Sequence, residues 1–151
     1  MLKKIEAFFN SMTAEDASKD DLSDNEIAIA SAALLVKCAN ADGHRTPEEN
    51  AKLIDVMVSG LELSEDEATS VIEYAETRER DALDVHQFTK RLHASLDRDE
   101  RMRMVGWLWE MANADGTIDG DETNTVMLIA RLLDVELRDA AKLKVATRRN
   151  T

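Results

Sequence analysis

The stretch Ala112-Asn113-Ala114-Asp115-Gly116-Thr117-Ile118-Asp119-Gly120-Asp121-Glu122 is the second appearance of a pattern that first runs Ala39-Asn40-Ala41-Asp42-Gly43-His44-Arg45-Thr46-Pro47-Glu48-Glu49. Asp42 matches Asp115, Gly43 matches Gly116 and Glu49 matches Glu122, all at one offset of 73 residues. A fixed internal period means one supersecondary unit used twice, so the chain is expected to fold as two related halves. Further along, Leu61-Glu62-Leu63 resembles Leu133-Asp134-Val135, now at an offset of 72.

Working outward from the motif, helix starts are marked by capping boxes, in which Ser, Thr or Asp is followed three residues later by Glu or Gln. They fall at Ser23/Glu26, Thr46/Glu49, Ser64/Glu67, Asp84/Gln87, Asp97/Glu100 and Asp119/Glu122. The helices expected over 24–40 and 98–113 are apolar on nearly every face, so each must be surrounded by others. Ala33 and Gly106 hold equivalent places in them and predict a close helix crossing there. Trp107 and Trp109, two residues apart, point to opposite sides and read as core. Amphipathic helices follow at 47–60, 65–79, 85–95, 120–132 and 136–148. The fold class is all-α, a single pseudo-duplicated domain of about eight helices. Residues 1–22 read as an amphipathic helix and linker, and 23–151 as the helical domain, with halves about 24–79 and 97–148.

At 151 residues the chain suits one domain with a real core. Only one Pro and five Gly, with few β-branched or aromatic runs, favour helix. Thirty-one acidic against nineteen basic residues give a net charge of −12, which repels phosphate backbones and favours cations and basic proteins as partners, not nucleic acid. The single Cys38 forms no intramolecular disulfide and sits in an apolar run, reading as an inert core thiol in a reducing compartment. Glu6 interrupts the only signal-like start, and no run approaches the ~18 apolar residues of a membrane span. The expected location is cytoplasmic, at most peripheral to the membrane.

Most of the motif is explained by local structure alone. Gly43 and Gly116 suit the left-handed residue that follows a helix, while Thr46 and Asp119 cap the next one with Glu49 and Glu122 closing the box. Left over are Asp42 and Asp115, placed near the negative end of a helix dipole at a cost of ~0.3–1 kcal/mol each. A bound divalent cation, calcium or similar, supplies a reason for them. Setting each glycine at the sixth position of an EF-hand loop puts Asn40 and Asn113 at the third, Asp42 and Asp115 at the fifth, and Glu49 and Glu122 at the twelfth. The first position is Cys38 or Met111, however, and the eighth is Arg45 or Ile118, so a standard EF-hand pair is disfavoured. The candidate metal ligands are Asp42, Glu49, Asp115 and Glu122, with Asn40, Asn113 and Asp119 as weaker ones.

The helix ending in Ala-Asp-Gly with a downstream Glu, occurring twice within a duplicated helical layout over about 24–148, resembles the tellurite-resistance TerB family and the domain at the start of DjlA-type membrane co-chaperones. The resemblance implies an all-helical fold, a divalent-cation site at these acidic residues, and association with metal stress, tellurite resistance and membrane-linked complexes.

Other features carry less. His86 and His93 lie seven apart and lack an adjacent third ligand for zinc, and His44 reads as solvated. The acidic run over 62–81 reads as a solvated face or a docking surface for a basic partner. The last helix carries Arg138, Lys142, Lys144, Arg148 and Arg149, which complement its own dipole. No nucleophile elbow, phosphate loop or dinucleotide fingerprint is present. The preferred reading is a cation-binding module with an acidic interaction surface. A metal-free helical interaction or structural domain, and a metal-dependent hydrolase, are the alternatives.

Overall fold

The structure is a computed structural model and describes the backbone of residues 5, 7–8, 10, 22–41, 43, 45–77, 85–114, 116 and 120–149. Among these residues there are seven helices and no strand: α1 (Asp24–Ala39), α2 (Pro47–Asp55), α3 (Glu65–Thr77), α4 (Val85–Ser95), α5 (Arg98–Ala112), α6 (Gly120–Leu132) and α7 (Leu137–Arg149). Of the amphipathic helix expected within residues 1–22, residues 5, 7, 8 and 10 are helical, and Ile5 and Phe8 are buried in the core.

The helix starts follow from side chains seated on free amides. At Ser23, Thr46, Ser64 and Asp97 both reciprocal capping-box bonds form, at 2.8–3.2 Å. The boxes at Asp84 and Asp119 lie outside the described residues.

α1 is buried without a break from Ala28 to Val36. It achieves this by touching α2, α3, α4, α5 and α6, while α5 touches α1, α2, α6 and α7. The pairing is reciprocal between the halves, since α1 packs on α3 and α6 as α5 packs on α7 and α2. Trp109 is wholly buried, and its indole N–H donates to the Ala140 carbonyl of α7 at 2.9 Å. The Lys144 ammonium lies 5.3 Å from its ring centroid, a cation–π contact that gives one of the basic residues of α7 a partner beyond the helix dipole. The Cys38 thiol is buried. No helix among the described residues is long and apolar enough to cross a membrane.

The halves differ by one residue, and the structure locates it. α2 continues into a π turn, Val56–Gly60. Leu61 and Leu63 donate to the Val56 and Met57 carbonyls, whereas the corresponding Leu133 and Val135 of the second half donate to Ile129 and Ala130. Each loop in the first half therefore encloses one more residue, which is why the offset falls from 73 to 72. Beyond the insertion the register recovers, and Glu62 and Asp134 share a left-handed φ of 59° and 61°.

The close approach expected at Gly106 is absent, because a methyl group added there would meet nothing within 4 Å. The tight glycine is Gly60, in the π turn, where an added Cβ would lie 3.2 Å from the Trp107 ring. Gly→Ala inside a helix ordinarily gains ~1 kcal/mol. At Gly60 the collision reverses the sign, and Gly60→Ala should lose about 1–2 kcal/mol in urea denaturation. Trp107 corresponds to Leu34 at the 73-residue offset, and in a Trp107→Leu background the loss should vanish.

Candidate cation site at the twin turns

Each motif begins where a long buried helix stops. α1 ends at Ala39 with Asn40 as its cap, and α5 at Ala112 with Asn113, the two asparagines having φ of −99° and −96°. The following turns match atom for atom. Ala41 and Ala114 donate to Cys38 and Met111 at 3.2 Å, and Gly43 and Gly116 donate to the carbonyls of Asn40 and Asn113 at 3.0 Å. Both glycines have positive φ, 81° and 88°, which an L side chain rarely adopts, so glycine is required at each turn.

Of the expected ligands, Asp42, Asp115 and Asp119 lie outside the described residues, as does His44. Because α1 and α5 end at Ala39 and Ala112, both aspartates come after the cap residue and not within the last helical turn. The more direct pointer to a cation is the burial of the two glutamates.

Glu49 is 3% exposed, as is Glu122, although both stand in the first turn of a helix where carboxylates ordinarily face water. Thr46 holds Glu49 in place: the Thr46 amide donates to Glu49 Oε1 at 3.2 Å, and the Glu49 amide to Thr46 Oγ1 at 3.1 Å. That leaves Oε2 of Glu49 buried with no hydrogen bond to the described residues. Leaving a buried charged oxygen so costs more than the ~1–3 kcal/mol of a neutral group, so a cation beside it would be stabilising. The equivalent oxygen of Glu122 is buried too.

The weaker ligands divide. Asn40 Oδ1 accepts a hydrogen bond from Arg45 Nη1 at 3.3 Å, so in the first motif a guanidinium already holds the oxygen assigned to an ion. The second motif has Ile118 in place of Arg45, and Asn113 is buried. Among the described residues no group of three His, Cys, Asp or Glu gathers that could hold a metal. His86 and His93 line one cleft with Arg131 and Asp134, where His93 Nε2 approaches Asp134 Oδ2 at 3.8 Å. The burial of Glu49 and Glu122 was not read from sequence; its signal was their place in capping boxes next to an apolar helix.

With the all-helical fold and the paired turns in view, the family can be stated. The model of the family "Tellurite resistance protein TerB" matches residues 28–145, which is most of the chain, and the chain belongs to that family. Searches of the curated proteins and of the solved structures gave no significant match.

Thr46 both starts α2 and seats Glu49. Thr46→Ala should cost about 1 kcal/mol of stability, measured as a lower urea midpoint at unchanged slope.

Proposed function

We propose that the protein is a TerB-family binding module that takes a divalent cation, calcium or similar, at its Asp-Gly…Glu turns and presents an acidic surface to a basic or membrane-associated protein partner. The observation that carries the reading is the Glu49 carboxylate, buried, with one oxygen spent on the Thr46 amide and the other without a hydrogen-bond donor among the described residues. Oxygen ligands of this kind suit hard cations. In this reading Asp42 pairs with Glu49, and Asp115 with Glu122, while Asn40, Asn113 and Asp119 add neutral or outer oxygens.

The module binds and does not catalyse in this reading: a capping glutamate already committed to a backbone amide leaves little room for the open water position of a hydrolytic metal. The net charge of −12 favours cations and basic proteins. The family's name speaks for a link to tellurite resistance, and in this reading the module serves a metal-stress response in the cytoplasm, free or peripheral to a membrane.

The first turn has an observation in favour of a metal-free role, the Arg45 guanidinium seated on Asn40. The second turn is accordingly the tighter cation site. Calorimetric titration of chelator-stripped protein with calcium should give binding in the weak range of about 0.1–1 mM and a matching rise in melting temperature. Asp115→Asn should remove most of that rise, and Asp42→Asn with Asp115→Asn all of it. Arg45→Ile, which copies the second turn into the first, should strengthen binding at the first turn several-fold by removing a positive charge. Absence of both heat and a thermal shift across millimolar cation would leave a metal-free helical interaction domain.

A further inference from the structure

The two halves diverge at one cavity far along α1 from the cation turns. In the second half, the Arg101 side chain bridges the start of α5 and the end of α6: Nη1 donates to the Leu133 carbonyl at 2.8 Å and Nε to the Asp97 carbonyl at 3.4 Å. The internal repeat maps Arg101 onto Ala28 and Asp97 onto Asp24, at 73 residues, and Leu133 onto Leu61, at 72. The first half thus has the two carbonyl-bearing positions but a methyl group in place of the guanidinium.

A cavity of about 180 Å³ lies there, and Ala28, Asp24 and Leu61 all line it. By the same measure one water needs only ~10–15 Å³, so the space admits a larger group. No hydrogen bond between described residues ends on the Leu61 carbonyl. The π turn carries Gly60 and Leu61 to the mouth of the cavity, and Trp107, packed on Gly60, gives it an aromatic wall. A planar cation stacks well on such a face. Of the charged residues around it, Asp24, Glu62 and Glu100 are acidic and Arg103 is basic, which leaves the site negative.

We propose that this cavity receives an arginine side chain of a partner protein, whose guanidinium takes the place that Arg101 fills in the other half. The Asp24 and Leu61 carbonyls accept its N–H groups, Trp107 stacks on its plane, and Glu62 and Glu100 supply the counter-charge. Arginine is favoured over lysine because the equivalent carbonyls of the other half, of Asp97 and Leu133, already share one guanidinium through its Nε and Nη1. The site does not depend on the cation turns.

The test uses the full chain, with N-acetyl-Gly-Arg-Gly-amide as the probe and its citrulline counterpart, equal in shape and uncharged, as the control. The Trp107 indole N–H and the amides of Leu61 and Leu63 should move saturably in proton–nitrogen NMR, with the citrulline peptide binding about tenfold more weakly. Ala28→Arg should fill the site from within, melt higher than Ala28→Met and abolish the response. Glu62→Gln with Glu100→Gln keeps the capping box and should weaken binding with the fold intact. Equal responses to the two peptides, no response to either, or an Ala28→Arg protein no more stable than Ala28→Met would each overturn the proposal.

Discussion

Burial of two helices that are apolar on nearly every face is the constraint behind the rest of this molecule. α1 is sealed from Ala28 to Val36, and α5 buries Met104, Val105, Leu108, Trp109, Met111 and Ala112, so each turns most of its surface inward. Each must be wrapped, and the chain does so by exchange: the second helix of each half packs on the long helix of the other. That exchange requires each long helix to stop sharply, turn, and restart within a few residues. The asparagine cap and the positive-φ glycine meet this need twice with nearly the same hydrogen bonds, and in the first half Glu49 caps the restart.

Sharp turns between buried helices draw polar groups inward. A glutamate that caps a surface helix would leave its second oxygen in water; here the neighbouring helices cover it, and Glu49 is left with an oxygen that its capping role does not use. The scaffold requirement and the candidate site are thus the same residues viewed from two sides. A cap explains Glu49 Oε1, and a cation beside the turn would account for Oε2.

Where the halves depart from each other, chemistry has room to differ. Arg45 stands where the other half has Ile118, Ala28 where it has Arg101, and Trp107 where it has Leu34. The π turn at Val56–Gly60 is the structural mark of the same divergence, an added residue absorbed within a helix and not in a loop. It brings Gly60 under Trp107 and so joins one half's insertion to the other half's aromatic substitution.

The sequence alone determined the all-helical class, the duplication and the helix starts, because those depend on local periodicity and on bonds spanning three residues, as at Ser23, Thr46, Ser64 and Asp97. The family could also be recognised from the Ala-Asp-Gly…Glu pattern. Gly106 was misread because a small residue on a buried helix looks alike whether or not a partner comes close, and only the crossing of helices told it from Gly60. Tertiary structure likewise decided that Glu49 is enclosed, that Arg45 occupies Asn40, and that Ala28 faces a cavity where the other half has the Arg101 guanidinium on the Leu133 carbonyl. Each of these depends on which surfaces meet between residues distant in the chain or on how a turn folds back, and a one-dimensional pattern carries no distance.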